Sequence, residues 1–590
     1  MLRCAVPTTL VLAALIAPSA HAAGDPTMPL DQVRPGMACV AKSVVRGTEV
    51  ATFDARIDDV IRDGRDLRRA RLLVTVSGAA IDATGVGAGF SGSPVICPGS
   101  DGTARIAGAI SETIGAYGGK TVLATPIQAV LGEPVDPPRQ TASAAHGAAL
   151  LSRARPLATP ISVGGLSPAL GGVLQRAARR AGRTLFLSPS AEAASPQTPA
   201  PLVPGSAIAM GYATGDITAG AIGTVSYVDG DAVWALGHPL DGAGRRDLFL
   251  QSAYVFGVID NPVASDDSAT YKLAAPMDAI GTLRQDGLSA VVGRLGAAPA
   301  GYPLRVTARD KDAGRLRAIL AQLVDERAVG FPVGYSALSA LAAPAAVEAL
   351  QEVLSGSPVR QSSDMCIRIS VKQRRKPLAF CNRYVGGGGD AEALAAGRLA
   401  SDVGAAAVLI DDFDAAKLEV KGVEIGMRVR RGLALGTLVS VTGPRVVARG
   451  STLTLRARVR KPGGPIVIRK IRVRVPRFMP QGERDLLLKG SEADAQPGDD
   501  GADLDLSSLF AGGPGGADGD TPPSSVKALA ERISDLHRYD GVSARFVPPG
   551  AGAPEQLPGG AERFAQRSRR VFRDDRLRIA GRARWRVFVF

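Results

Sequence analysis

Short apolar runs, each ended by glycine or polar residues, dominate the first part of the chain. Between residues 35 and 135 they read MACVAKSVV, TEVATFDARIDDVI, ARLLVTVS, SPVIC and RIAGAIS. Runs of this length between turn residues predict β-strands. A second block covers residues 205–310, where Asp229-Gly230 predicts a hairpin turn between two alternating runs. The pattern therefore predicts two β-rich domains, each a small barrel or sandwich.

Helical periodicity is clearest at residues 315–354, in RLRAILAQLVDERAVG and SALSALAAPAAVEALQEVL. Shorter helices are predicted at LGGVLQRAARRAG and, near the C-terminus, at VKALAERISDLH. Strands return from about residue 365 to residue 480, and WRVFVF predicts a closing strand. These elements give a mainly β chain with a helical pair after the two β-rich blocks.

Changes in composition along the chain predict its organisation. The acidic, glycine-rich stretch after residue 490 is typical of a disordered linker. The predicted segments are a signal peptide (1–22), a serine-bearing β-barrel (23–135), a connector (136–204), a histidine-bearing β-barrel (205–310), a helical segment (311–356), a β-rich domain (357–485), an acidic Gly/Pro-rich linker (486–525) and a C-terminal helix and strand segment (526–590).

Composition and the N-terminal sequence indicate the compartment in which the protein functions. The 590 residues include 70 Gly and 41 Pro but only 4% aromatic residues, which favours short strands and turns. The N-terminus has Arg3, an apolar run at 11–16 and the small-residue site Ala20-His21-Ala22, which together indicate a secretory signal. That run is far below the roughly 20 residues of a membrane span, and no other stretch comes near that length. We therefore expect an extracytoplasmic (periplasmic or secreted) protein that does not span a membrane.

Cysteine usage fits such a compartment. Removal of the signal leaves an even number of cysteines, which favours disulfides in an oxidising environment. Proximity in sequence predicts two pairs, and four buried or free thiols are the alternative. The chain has no CxxC or HExxH spacing and only four histidines, so we expect no metal site. The predicted pairs are Cys39 with Cys97 and Cys366 with Cys381.

The formal charge of +14 raises the question of nucleic acid, but the arginines are spread along the chain. Around the KPGG turn at Lys461, arginines alternate with apolar residues, which predicts a hairpin with a solvated basic face. We therefore expect no nucleic-acid partner. Besides being solvated, this basic face is a candidate for contact with acidic envelope components. The arginines concerned are Arg456, Arg458, Arg460, Arg472, Arg474 and Arg477.

The stretch GFSGSP places Ser91 at a glycine turn that enters a strand. A serine nucleophile needs a base and backbone N–H donors for the oxyanion. Gly89 and Gly92 allow a tight turn, so the N–H groups of Gly89 and Ser91 can form an oxyanion hole. A structural Gly-Ser-Pro turn is the alternative. The same SGSP sequence recurs at Ser357 directly after a predicted helix, and we assign that copy to a loop.

His238 is the candidate base. His146 lies in the predicted connector and His537 on the C-terminal helix, whereas ALGHPL places His238 at the end of a predicted hairpin. A lone histidine before proline is more often structural. Together with a glycine-framed serine, it favours a serine–histidine pair.

These residues resemble those of the SpoIVB-type serine peptidases of the chymotrypsin-like clan. The family's G-M-S-G-S-P is similar to GFSGSP, which implies Ser91 as nucleophile, and its G-A-L-G-H is similar to WALGHPL, which implies His238 as base. PGMACVAKSVVRGTEVATFDARI and DAIGTLRQDGLSAVVGRLG also resemble family segments, so the resemblance covers about residues 30–310. It implies a chymotrypsin-like double β-barrel that hydrolyses peptide bonds without a cofactor.

The chain departs from the family in three ways. Ser91 precedes His238, an order associated with a separate branch, and no PDZ-like segment is evident. The family's aspartate lies shortly before the serine motif, where VTVSGAAIDATGVGAGFS has Ser77, with Asp82 nearby but out of register. Asp82 is our assignment for the acid, and Asp229, Asp231 and Asp241 remain alternatives.

Two functions follow from the sequence. The first is a SpoIVB-like serine endopeptidase that acts on a protein or peptide substrate, with narrow or self-processing specificity. The second is a catalytically inactive double barrel that serves as a binding or scaffold protein of the cell envelope. The missing acid and the long C-terminal half keep the second hypothesis open.

Overall fold

The protein is mainly β, in agreement with the hydrophobic pattern. The described residues exclude the predicted signal peptide, about half of the predicted connector, most of the predicted linker, Ser357 and every histidine except His238. The computed structural model describes residues 24–590 apart from 63, 65, 115–117, 137–153, 157–160, 181–183, 190–200, 262–268, 327–335, 355–359, 388–390, 491–521, 537–540, 551–568 and 575.

The serine-bearing domain contains a closed six-stranded barrel. Its strands pair in the order β4, β1, β2, β3, β6 and β5, and β5 pairs back to β4. The predicted Cys39–Cys97 disulfide is confirmed and joins β1 to β4. A short strand, β7, pairs antiparallel with the end of β5, and helix α1 (Ile127–Leu131) follows β6. The strands are β1 (Ala38–Arg46), β2 (Glu49–Ile61), β3 (Arg71–Ser77), β4 (Pro94–Pro98), β5 (Ala104–Ile114), β6 (Thr121–Pro126) and β7 (Ala154–Pro156).

A larger sheet follows. Within it, β10, β13, β14, β15, β12 and β11 pair in this order, and β11 pairs back to β10. The predicted hairpin is confirmed, because Asp229 pairs with Ala232 across a two-residue turn between β11 and β12. The strands are β8 (Ile161–Gly164), β9 (Leu185–Leu187), β10 (Ala207–Gly215), β11 (Thr218–Asp229), β12 (Ala232–Ala235), β13 (Gly244–Asp260), β14 (Thr270–Asp286), β15 (Val291–Leu295), β16 (Gly301–Asp310), β17 (Leu316–Val324), β18 (Arg360–Val371), β19 (Leu378–Gly387) and β20 (Val420–Arg431).

Helices pack on this sheet. Helix α2 (Pro168–Arg180) confirms the predicted helix of the connector. Contrary to the expectation that no further stretch approaches the length of a membrane span, helix α3 (Ala337–Leu354) is long and apolar enough to cross a membrane by length and composition. However, 89% of it is buried inside the protein. It packs against helix α4 (Ala391–Asp411) and against β16 and β17. Helix α3 therefore behaves as a core helix.

The helical prediction for the first part of residues 315–354 was wrong. Residues 316–324 form strand β17, because Ile319, Ala321 and Leu323 are buried at the two-residue spacing of a strand when β17 pairs with β16. Helix α4 was not predicted, because its alanine-rich segment lacks a clear polar face. The strands of the predicted 357–485 domain are divided, since β18 to β20 join the large sheet, whereas the later strands form separate sheets. The predicted Cys366–Cys381 disulfide is confirmed between β18 and β19.

The C-terminal region contains a four-stranded and a five-stranded sheet. The hairpin at KPGG is confirmed between β23 and β24, as are helix α5 (Val526–Ser534) and a closing strand. The predicted start of the acidic linker, at residue 486, is wrong, because residues 486–490 belong to strand β25. The strands are β21 (Leu435–Thr442), β22 (Val446–Val447), β23 (Thr452–Arg460), β24 (Ile466–Arg474), β25 (Gly482–Gly490), β26 (Gly541–Val547), β27 (Arg569–Arg573), β28 (Arg578–Ala580) and β29 (Arg582–Val589).

Candidate active site

The serine motif forms a tight turn immediately before β4, where the sequence predicts it. Gly89 and Gly92 have φ values of 90° and 96°, a region that L side chains rarely adopt. The Ser93 hydroxyl donates to the Phe90 carbonyl over 2.6 Å, which fixes the turn internally. The Gly92 N–H donates to Ile110 O over 2.7 Å and ties the turn to β5. Ser91 lies at the apex of this turn and is buried.

The turn also contacts the histidine-bearing sheet. The Thr224 N–H of β11 donates to the Ser91 carbonyl over 2.8 Å. A Cβ atom at Gly92 would lie 1.9 Å from Thr224 O and 2.6 Å from Leu236 N. Gly92 is therefore a point of close approach between the serine turn and the segment that precedes His238. The structure thus brings the two sequence motifs to one interface.

The histidine follows an unusual backbone conformation. Leu236 has a φ of 72° and is the sole residue other than glycine with a positive φ in the described part of the chain. Gly237 follows with a φ of 71°. Non-glycine residues in this region cost about 1–3 kcal/mol and cluster at functional sites. The Leu236-Gly237 turn is therefore the kind of strained segment that marks a site.

The histidine turn lies on the serine-bearing barrel. The Thr125 hydroxyl of β6 donates to Gly237 O over 2.7 Å, and a Cβ atom at Gly237 would lie 3.1 Å from Ala109 O of β5. His238 is 4% exposed, and its Nδ1 lies 2.7 Å from the Pro239 carbonyl. A neutral imidazole that donates from Nδ1 presents Nε2 as the proton acceptor, which is the tautomer a general base requires.

Asp286 at the end of β14 holds the segment after His238. Its carboxylate accepts the N–H groups of Leu240, Asp241 and Ala243 at 2.7, 2.9 and 3.1 Å. Burial raises the pKa of the Asp286 carboxyl, and these three N–H groups act in the opposite direction. Asp286 was not predicted as a site residue, although it lies in DAIGTLRQDGL, one of the segments that resemble the family.

Asp286→Asn is expected to loosen this segment. An amide accepts less strongly than a carboxylate and turns an N–H₂ group towards the same donors, so we expect a local cost of about 1–3 kcal/mol. Amide hydrogen exchange of Leu240, Asp241 and Ala243 should then accelerate about 10-fold to 100-fold. Asp247→Asn, at a half-exposed carboxylate paired with Arg284, is the control. Unchanged exchange in Asp286→Asn would contradict the assigned role.

The four candidate acids lie in different surroundings. Asp82 is half-exposed and forms an ion pair with Lys120 over 2.7 Å, and that hydrogen bond lowers the pKa of its carboxyl. Asp229 is exposed at the hairpin turn, and Asp231 pairs with Arg294. The side chain of Asp241 is buried in the segment that Asp286 holds, where it pairs with Arg246 over 2.7 Å. Of these four, Asp241 is the buried carboxylate on the same loop as His238.

A buried lysine lies behind the serine turn. Lys272 of β14 is 1% exposed, and its ammonium lies 4.6 Å from the centre of the Phe90 ring. Its Nζ donates to the hydroxyls of Ser43 over 2.7 Å and Thr224 over 3.0 Å. A cation above an aromatic face is attracted to it. Lys272 therefore connects strand β1, strand β11 and the serine turn.

The partners of Lys272 hold the turn in place. Thr224 Oγ1 donates to Gly89 O over 3.0 Å, and Ser93 Oγ lies 3.0 Å from Ser43 Oγ. Burial lowers the pKa of Lys272 to about 7, since the charged form loses its hydration. The amine thus titrates near neutral pH within a network of hydroxyls that ends on the carbonyl of Gly89.

Sequence reasoning missed Lys272. The run TYKLAAPM gives no sign that its lysine faces inwards, and a polar residue between apolar ones in a strand ordinarily faces solvent. The tertiary contact with Phe90 reveals the residue's position.

Comparisons with protein-family models, with curated proteins and with solved structures find no match for this chain.

Proposed function

We propose that the protein is a serine endopeptidase. Ser91 attacks the scissile carbonyl, and His238 takes the proton of its hydroxyl and returns it to the leaving amine. The observation that carries the proposal is the contact at Gly92, which places the serine turn against the Leu236-Gly237 turn that leads into His238. A strained turn before a buried imidazole supports a role in chemistry more than a role in packing.

An oxyanion hole at Gly89 and Ser91 is part of the proposal. Within the turn, the N–H groups of Phe90, Gly92 and Ser93 donate to main-chain carbonyls. In the described residues the Gly89 N–H has no such acceptor, which leaves it available to an oxyanion. One oxyanion-hole donor contributes about 3 kcal/mol in acyl transfer.

The strand pairings support a chymotrypsin-like double barrel of the SpoIVB type. The serine turn directly precedes β4 of the closed barrel, and the histidine follows β12 of the second ring of strands. A site between two such units is the arrangement that the motif resemblance implies. The substrate would be a protein or peptide in an extracytoplasmic compartment, where the two disulfides persist.

A binding or scaffold protein without catalytic activity is the second candidate. The observation that favours it is the complete burial of Ser91, whose side chain a substrate cannot reach in this conformation. A peptidase of this form requires an opening of the serine turn, whereas a scaffold does not.

Labelling by a fluorophosphonate tests the proposal, because the reagent reacts with an activated serine hydroxyl. We expect the wild type to be labelled, and Ser91→Ala and His238→Ala to lose labelling. Ser357→Ala is the matched control, since it removes the serine of the second SGSP copy. A wild type that stays unlabelled while folded, or labelling that survives in Ser91→Ala, would favour the scaffold.

A further inference from the structure

The outward side of the hairpin β23–β24 is strongly basic. Both strands alternate buried and exposed residues over most of their length, so their basic side chains lie on one surface. We call this surface the basic face. Its members are Arg456, Arg458 and Arg460 on β23 and Lys470, Arg472 and Arg474 on β24, all exposed.

The charges of the basic face are not neutralised within the described part of the chain. Nearby ion pairs use other arginines, such as Arg469 with Asp574 and Arg586 with Asp485. Arg456 lies directly opposite Lys470, a like-charge pair that destabilises a sheet. The neighbouring strand β21 adds the hydroxyls of Thr437 and Thr442 beside the arginines. Stability of the sheet does not explain this arrangement.

Protection of a sheet edge does not explain it either. Lysine and arginine on an edge strand discourage pairing with other chains. Strand β24 is an edge strand, but β23 lies inside the sheet between β24 and β21. Three of the six basic residues are on β23, where no edge needs protection.

Apolar side chains share the surface with these charges. Ile466 and Ile468 are 38% and 53% exposed and lie opposite Arg460 and Arg458. Beyond the end of β24, Phe478 is 80% exposed. A hydrophilic polyanion gains nothing from exposed isoleucines. The boundary between headgroups and acyl chains of a bilayer accommodates both basic and apolar groups.

We propose that the basic face binds the surface of an anionic phospholipid bilayer. The arginines and the lysine contact headgroup phosphates, and Ile466 and Ile468 enter the boundary with the acyl chains. The protein would then be held on a membrane without crossing it. This binding does not depend on the activity of Ser91.

Sedimentation of the full-length protein with lipid vesicles tests the proposal. We expect binding to vesicles of phosphatidylglycerol mixed with phosphatidylcholine, and no binding to phosphatidylcholine alone. Each basic residue near an anionic surface contributes a factor of about five, so Arg458→Glu/Arg472→Glu should weaken binding about 30-fold or more. Ile466→Ser/Ile468→Ser should weaken it about tenfold.

Arg305→Glu/Arg309→Glu is the matched control, because these two arginines are exposed on β16 in the same alternating pattern. This control has the same net charge as the Arg458→Glu/Arg472→Glu variant, but its basic face is intact. It should therefore bind phosphatidylglycerol vesicles more tightly than that variant. A wild type that ignores phosphatidylglycerol, or an Arg458→Glu/Arg472→Glu variant that binds no more weakly than the control, would overturn the proposal.

Two outcomes would assign the face to another occupant and so also overturn the proposal. The first is an isoleucine variant that binds like the wild type while soluble polyphosphate displaces the protein, which would indicate a soluble polyanion. The second is vesicle binding that appears only when residues 492–520 are deleted, which would indicate that this stretch of the chain occupies the basic face. The stretch carries eight acidic residues and no lysine or arginine.

Discussion

Gly92→Ala is expected to destabilise the protein by about 4 kcal/mol or more, a cost typical of severe steric conflict in a core. The new Cβ would lie 1.9 Å from the Thr224 carbonyl, a main-chain atom that cannot move without distorting β11. The substitution also forces alanine into a φ of 96°. We expect the midpoint of urea denaturation to fall sharply, with loss of any fluorophosphonate labelling.

Gly102→Ala separates the two causes. Gly102 has a φ of 78° in the turn between β4 and β5, but a Cβ there would have no atom within 4 Å. This control carries the cost of a left-handed backbone alone, about 1–2 kcal/mol. If Gly92→Ala were no more destabilising than Gly102→Ala, the close contact between the serine turn and β11 would be refuted.

Lys272→Met is expected to remove a large pH dependence from the free energy of unfolding. The pKa of Lys272 is 10.5 when the chain is unfolded and about 7 when it is folded. Between these values the unfolded state binds more protons, so stability rises with pH in this window. Below about pH 7 the cost of burying the charge is fully present, and it is lost as the pH approaches 10.5. From pH 7 to pH 9 the wild type should gain about 2 kcal/mol relative to Lys272→Met.

Tryptophan fluorescence during urea unfolding at several pH values measures this difference. A Trp585→Phe background leaves Trp234 of β12 as the reporter, in the same ring of strands as Lys272. Lys120→Met, which removes a half-exposed lysine, is the control and should leave the pH profile close to that of the wild type. Parallel profiles for Lys272→Met and the wild type would show that the amine stays charged in the folded protein.

An element could be predicted from the sequence when neighbouring residues determine it, and could not when contacts with distant residues determine it. Strands with local alternation and glycine turns, such as the hairpin at Gly230 and the hairpin at KPGG, could be predicted because their pattern is written in neighbouring residues. Strand β17 could not be, because its apolar residues fit both periodicities and the pairing with β16 decides between them.

The residues of the candidate site also divide into those that local sequence predicts and those that only the structure reveals. Ser91 and His238 could be singled out because each stands in a glycine turn with a recognisable local sequence. Lys272 and Asp286 could not, since they act on turns that lie far away in the chain. A local pattern carries no information about which buried side chain reaches a distant turn.

The contacts between the two halves of the site have a consequence for biosynthesis. The serine-bearing barrel can close as soon as its own strands have emerged, but its serine turn then lacks Thr224 and the Leu236-Gly237 turn that pack against it. The imidazole belongs to the segment after β12, which is made much later. A partly synthesised chain therefore lacks the assembled candidate site. Under the proposed function, the Ser91 hydroxyl would become reactive only after the second block of strands has folded.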